Sequence, residues 1–342
     1  MYAFFQTSMA LMKLKPFKDA RDNEFLTTNT PGSLKSHKQT PFFKVTVSDI
    51  LWGMDHPLLI QSGGLFHKRP DLLFPHKKFG IFVGKNGTNP GIMTAETGIN
   101  EQFNDIGRVK FFNQKPKLDF WKGKCNDING TDGSSFPPDI LPNATLYLFN
   151  RDLCRSIPLE KLEMQGDVIS SGVPGYRFVP PKNIFSPPEE NPDNECFCMT
   201  DAGCNIPKGV FDMSACQYGA PIMMSWPHFF QADPTLLEGV IGLKPNPSKH
   251  QFFMDIQPKL GVALKAQARS QINVQMYKMD SECQESVNED LKKQCLEVTK
   301  GLRDMIFPVL WFESGIDAIK DEHTLDLLQK AIYMPEKAKQ AM

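Results

Sequence analysis

Eight cysteines hold the chemistry that this sequence offers most openly, and six of them fall between Cys125 and Cys216. Three of those crowd into Cys196-Phe197-Cys198-x5-Cys204. Thiols so placed either ligate a metal or bridge to one another. Zinc is the metal to weigh, through Cys196, Cys198, Cys204 and Cys216, but structural zinc takes paired Cys-x2-4-Cys knuckles and this run opens on Cys-x-Cys. The surroundings favour bridges. Asn129-Gly130-Thr131 and Asn143-Ala144-Thr145 lie in the same window, and Asn86-Gly87-Thr88 lies upstream, each an acceptor sequence for N-linked sugar. Asn246-Pro247-Ser248 is no acceptor, because proline occupies its middle position. Thiols crowded beside sugar acceptors belong to an oxidising, lumenal or extracellular setting, where they are joined. Spacing alone does not choose the partners, since eight cysteines allow on the order of a hundred complete pairings.

Other chemistry is sparse. The chain has no Gly-x-Ser-x-Gly elbow, no His-Glu-x-x-His pair and no Gly-x-x-x-x-Gly-Lys loop, and its seven histidines are scattered. His228, in Ser225-Trp226-Pro227-His228-Phe229-Phe230, reads as a packed or hydrogen-bonded ring and not as a base. No catalytic residue is assigned, and the reading is of a non-enzyme. Basic clusters at His67-Lys68-Arg69 and His76-Lys77-Lys78 read as solvated loop charge without interleaved aromatics. With 38 basic and 39 acidic residues the formal net charge is -1, so no whole-molecule field draws the chain to nucleic acid.

The elements that must position these groups are mostly strands. Proline (27), Gly (24) and Phe (26) are abundant, a composition of strands and turns. From Pro41, short apolar runs bounded by Pro, Gly, Asn and Asp recur to about residue 280, as in Phe79 to Val83 and Thr145 to Phe149. The clearest strand is Val262 to Met276. Val262, Leu264, Ala266, Ala268, Ile272, Val274 and Met276 share one face, and Lys265, Gln267, Arg269, Gln271, Asn273 and Gln275 the other. Such a strand spans roughly 50 Å and suits a tall barrel or a large curved antiparallel sheet. Helical spacing is confined to Ser281 to Arg303 and to Thr324 to Ile332, the latter ended by Pro335. The expected class is mainly β (α+β), antiparallel and barrel-like, with short peripheral helices.

Residues 18–40 are polar and poor in apolar anchors. Residues 1–40 are therefore set apart as a weakly ordered N-terminal segment or insertion, and 41–342 as one domain. The longest apolar run, Met305 to Phe312, contains Pro308 and is far short of the about 20 residues of a membrane helix. Met1 to Met12 has neither a leading basic residue nor a small-residue cleavage site. An interior that reads as exported, without a visible exporter, is expected of a piece of a longer protein.

Taken in order, the motifs resemble the class B scavenger receptor family, the group of the fatty-acid translocase, the high-density-lipoprotein receptor, the lysosomal integral membrane protein, croquemort and the sensory neuron membrane proteins. The likeness runs through Leu51-Trp52-Gly53 with Asp55 and Pro57, then Cys125 to Asp132 and Ser135-Phe136-Pro137-Pro138. It continues through Asp152 to Ser156, Gly172 to Phe178 and Asn191 to Cys198, and closes with Pro227-His228-Phe229, the Asp255 strand and Pro308-Val309-Leu310-Trp311. The resemblance implies a single large ectodomain held between two membrane helices, facing the extracellular space or a lysosomal or endosomal lumen. A tunnel through it carries lipids, fatty acids or lipoprotein cargo, with no cofactor. Residues 41–342 then correspond to a partial ectodomain lacking both membrane helices and the ligand-docking bundle, so no ligand-binding residue is carried over. Matching to the family pairs Cys125 with Cys196, Cys154 with Cys216 and Cys198 with Cys204. Cys283 and Cys295, outside the family pattern, are expected to pair with each other. The family also contains adhesion and trafficking receptors, which bind a protein or a cell surface without moving lipid.

Overall fold

The computed structural model describes residues 45–54, 78, 80, 82–83, 87–89, 91–99, 103–162, 168–199, 206–217, 222–276, 289, 292–293, 296, 303–317 and 319–340. The chain divides into two compact units: one of residues 1–90, 212–223 and 273–309, the other of 91–211, 224–272 and 310–342.

In chain order the strands are β1 (Met93–Ala95), β2 (Val109–Phe112), β3 (Leu146–Asn150), β4 (Arg155–Lys161), β5 (Val168–Ser170) and β6 (Val173–Val179). They are followed by β7 (Val210–Asp212), β8 (Ile222–Ser225), β9 (Phe253–Gln257), β10 (Val262–Met276) and β11 (Met305–Ile316). The α-helices are α1 (Val47–Trp52), α2 (Pro247–His250) and α3 (Glu322–Gln340). Strands β1 and β2 form a small antiparallel pair. The main sheet runs β3-β4-β6-β9-β10-β8-β7, with β5 on β6 and β11 on β10. The pairings β3–β4, β4–β6, β6–β9, β9–β10 and β5–β6 are all antiparallel. The class is mainly β, as the patterning predicts, and among the described residues the strand path runs from β3 to β7 without closing a barrel.

Strand β10 occupies the predicted span, Val262–Met276. Its polar face is not a water face: Arg269, Gln271 and Asn273 are buried. Their donors are matched by fixed acceptors, as burial of a polar group requires. Gln271 Nε2 donates to Ser225 Oγ at 3.3 Å and Asn273 Nδ2 donates to the Met223 carbonyl at 3.4 Å. The apolar face is half-buried at Val262, Ala268 and Ile272.

Strand β9 packs on both faces, all five of its residues being buried. Asp255 within it takes two hydrogen bonds from Arg177 of β6, Nε at 2.6 Å and Nη2 at 2.8 Å. Two glycines let the backbones close on this centre. A Cβ at Gly175 of β6 would lie 2.9 Å from the Ile256 carbonyl oxygen, and one at Gly261 would lie 1.9 Å from that of Phe136. Gly261 also needs φ +68, in the hairpin turn that Gln257 fastens through its own side chain.

Helix α3 lays Leu325, Leu328 and Ile332 against Val173 and Leu264. It is longer than expected, because it runs through Pro335 to Gln340. Proline removes one backbone donor, and the strong helix formers that follow (Glu336, Lys337, Ala338, Lys339, Gln340) carry the helix on. Among the described residues no helix is long and apolar enough to cross a membrane. Val47–Trp52, within the stretch from Pro41 expected to be rich in strands, is helical because Thr46 and Asp49 form a reciprocal capping box. In the same unit Met276 packs with Met305 and Phe307. The run from Phe79 to Val83 ends in a turn at Phe82 and Val83, with Phe79 and Ile81 outside the described residues. The helix expected over Ser281 to Arg303 falls almost wholly outside them, as do His67-Lys68-Arg69, His76 and Lys77.

Candidate functional site

The cysteine-rich window folds around two short 3₁₀ turns, Gly123–Asn126 and Pro192–Phe197. A disulfide joins Cys125 to Cys196 across them, with Cα atoms 5.7 Å apart. Cys198 is also disulfide-bonded, and Cys204, its partner by the resemblance, lies outside the described residues. Cys154 and Cys216 are both buried. Cys283, Cys295 and Asn86 lie outside the described residues. Asn129 and Asn143 are exposed, the first with its backbone N–H donating to Ser156 Oγ at 2.9 Å.

Beside the bridge an aromatic cage surrounds Arg155, the first residue of β4. Its guanidinium carbon is 4.0 Å from the Phe197 ring centre, 4.7 Å from Phe211 and 5.7 Å from Phe185. Trp121 closes the cluster against Phe197 and Phe211 and donates its indole N–H to the Cys154 carbonyl at 2.6 Å. Nη2 of Arg155 donates to Asn194 Oδ1 at 3.4 Å, while Nε and Nη1 have no hydrogen-bond partner among the described residues. Burial pushes its pKa down to about 9, so it stays charged at neutral pH.

A second polar cluster lies where β10 and β11 meet the turn after β8. The rings of His228 and His250 stack with centres 4.3 Å apart and planes 10° from parallel. Trp311 of β11 stands edge-on to both. Backbone N–H groups donate to both rings, Lys244 to His228 Nδ1 at 3.0 Å and Asn246 to His250 Nδ1 at 2.9 Å. Arg269 of β10 donates to the Ser248 and Gln251 carbonyls around α2 and pairs with Glu313 Oε2 at 2.7 Å. The turn is strained: His228, Phe229 and Gln231 all have positive φ, a conformation costing about 1–2 kcal/mol per non-glycine residue. Gln271 holds it by accepting the His228 N–H at 2.8 Å. Both histidines are pushed below the ordinary imidazole value, His228 by burial and His250 by burial, then by His228, Arg269 and Lys249.

Neither cluster presents a nucleophile beside a base. Residues 7–342 match the model of the CD36 family. The chain belongs to the CD36 family. It is 35% identical over 278 residues to the scavenger receptor class B member 1 of Mus musculus, covering 81% of this chain and 50% of that relative. Against the lysosome membrane protein 2 of Homo sapiens it is 36% identical over 299 residues, covering 87% of this chain and 56% of that relative. The chain thus spans about half the length of the relatives it matches. The CD36 match takes in residues 18–40, which their polarity alone sets apart.

Sequence reasoning gave no weight to His250 or Arg155. His228 and His250 stand 22 positions apart with a turn and a loop between them, so no spacing announces the stack. Arg155 carries a faint signal, a charge directly after a cysteine at the head of an alternating run, Arg155, Ile157, Leu159.

Proposed function

We propose that this chain is part of a scavenger receptor-like membrane glycoprotein that binds lipids or lipoprotein cargo and passes lipid along its ectodomain, without catalysis. The similarity to a scavenger receptor over 81% of the chain carries this reading. Strand β10 supplies the physical means: a long apolar face, only half-buried at Val262, Ala268 and Ile272, is a surface along which an acyl chain exchanges water for hydrocarbon. The site faces the extracellular space or a lysosomal lumen. Its remaining cysteines pair as in the family, Cys154 with Cys216 and Cys198 with Cys204, with Cys283 joined to Cys295. Asn86, Asn129 and Asn143 carry sugar.

The chain is as similar to the lysosome membrane protein 2 as to the scavenger receptor, and since one fold serves more than one function a second reading is a trafficking or adhesion receptor that binds a protein or cell-surface ligand and moves no lipid. Native mass spectrometry of the purified complete ectodomain separates the two. Co-purified fatty acid, sterol or phospholipid supports the first, and a lipid-free ectodomain supports the second.

A further inference from the structure

The stacked histidines do more than pack. A backbone N–H can only donate, so each Nδ1 that accepts one is itself unprotonated, and both rings are neutral while the bonds to Lys244 and Asn246 stand. Each ring therefore fastens one point of the loop that runs from the turn after β8 to α2. Protonation at Nδ1 turns acceptor into donor and opposes two like donors across about 3 Å.

The charges facing the pair make a proton unwelcome. Arg269 of β10 and Lys249 of α2 act on His250, and Lys244 stands in the fastened loop. The acidic group on β11, Glu313, is already taken by Arg269. Gln271 and Trp311, which also face the pair, carry no charge. A second proton would set imidazolium against imidazolium at stacking distance. The fastened segment also begins in a turn strained at His228, Phe229 and Gln231, which Gln271 holds through the His228 backbone and the ring through Lys244.

We infer that His228 and His250 form a proton-operated latch, closed at neutral pH and opened by acid, which holds the strained turn 228–231 and the loop 239–246 against the sheet. The latch stands on its own geometry and holds whichever cargo the receptor carries.

Hydrogen exchange of the purified chain at about pH 7.4 and about pH 5, which bracket the imidazole range, tests it. The comparison is with His228→Asn/His250→Asn, because Asn offers an oxygen close to the place of Nδ1 but does not titrate. After correction for intrinsic exchange, protection of peptides covering 226–232 and 242–251 is expected to fall at least about tenfold in acid for the parent. It should stay level in the double variant. Unchanged protection in the parent, or an equal fall in the variant, overturns the latch. Should the variant fail to fold by circular dichroism, the parent decides by NMR: the Lys244 and Asn246 amide resonances must move with the ring titrations. Rings that titrate while those amides stay still also overturn it.

Discussion

The Arg155 guanidinium lies 4.0 Å from the centre of the Phe197 ring, and the residue before that ring, Cys196, is tied to Cys125. A charge with no acidic partner among the described residues is thus buried in aromatic walls pinned by a disulfide. A desolvated cation–π contact contributes about 2 kcal/mol, and each unsatisfied buried N–H costs about 1–3 kcal/mol. With Nε and Nη1 both unpartnered among the described residues, the cost of the charge matches or exceeds its gain. Arg155→Met, similar in length and apolar, is therefore expected to leave the urea unfolding midpoint unchanged or higher, while Arg155→Ala loses about 2–5 kcal/mol to the cavity. A Met variant as damaged as the Ala variant would show that the charge itself is needed.

Arg177 and Asp255 behave differently, since two short hydrogen bonds match the fork to the carboxylate. Asp255→Ala strands the guanidinium beside Phe253, over which it lies at 4.0 Å. The expected loss is about 2–4 kcal/mol, below that of a wholly buried pair because Arg177 is a quarter exposed. Adding Arg177→Met should recover part of it. Equal losses in the single and double variants by urea denaturation would deny the coupling.

The Cys125–Cys196 bridge closes an interval of 71 residues. Restricting the unfolded chain over such a loop contributes about 4 kcal/mol. Cys125→Ser/Cys196→Ser should lower the unfolding free energy by about that amount and leave Trp121 more open to fluorescence quenching. A change of under about 1 kcal/mol would mean that the cage holds the two turns unaided.

Acid should destabilise the fold in two stages. His228 and His250 have lowered folded values, so the unfolded chain takes up protons first. Their contribution is complete above the ordinary imidazole value of about 6.5 and is lost as pH falls toward the folded values. A later decline follows below about pH 4, where Asp49, Asp233 and Asp321, each held low by a threonine hydrogen bond, become protonated. Chemical denaturation across pH should show the first stage flattened in His228→Asn/His250→Asn. A flat parent curve between about pH 7 and about pH 5 contradicts this order.

Strand β10 was legible because period-two alternation persists over fifteen residues, long enough to exclude a helix. Strand β9 was legible only through family likeness, because a strand buried on both faces shows no alternation, and its Asp255 is solvated by a partner 78 positions away. The burial of Arg269, Gln271 and Asn273 was equally hidden, since their partners come from elements distant in the chain. Helix α3 outran its expected end because Pro335 removes a single donor from a run otherwise rich in helix formers. The Cys125–Cys196 pair was legible only through family likeness, and the histidine stack not at all, because tertiary folding alone brings His228 to His250.

Lipid transfer along the ectodomain is the proposed function. Uptake of labelled fatty acid and cholesterol ester by cells displaying the complete protein tests it most directly, with surface expression matched between parent and an Ala268→Arg/Ile272→Arg variant that charges the half-buried apolar face of β10. Uptake several-fold above untransfected cells is expected for the parent, with its loss in the variant while the protein still reaches the surface. A surface-displayed parent that neither binds nor takes up fatty acid, sterol or phospholipid would contradict it.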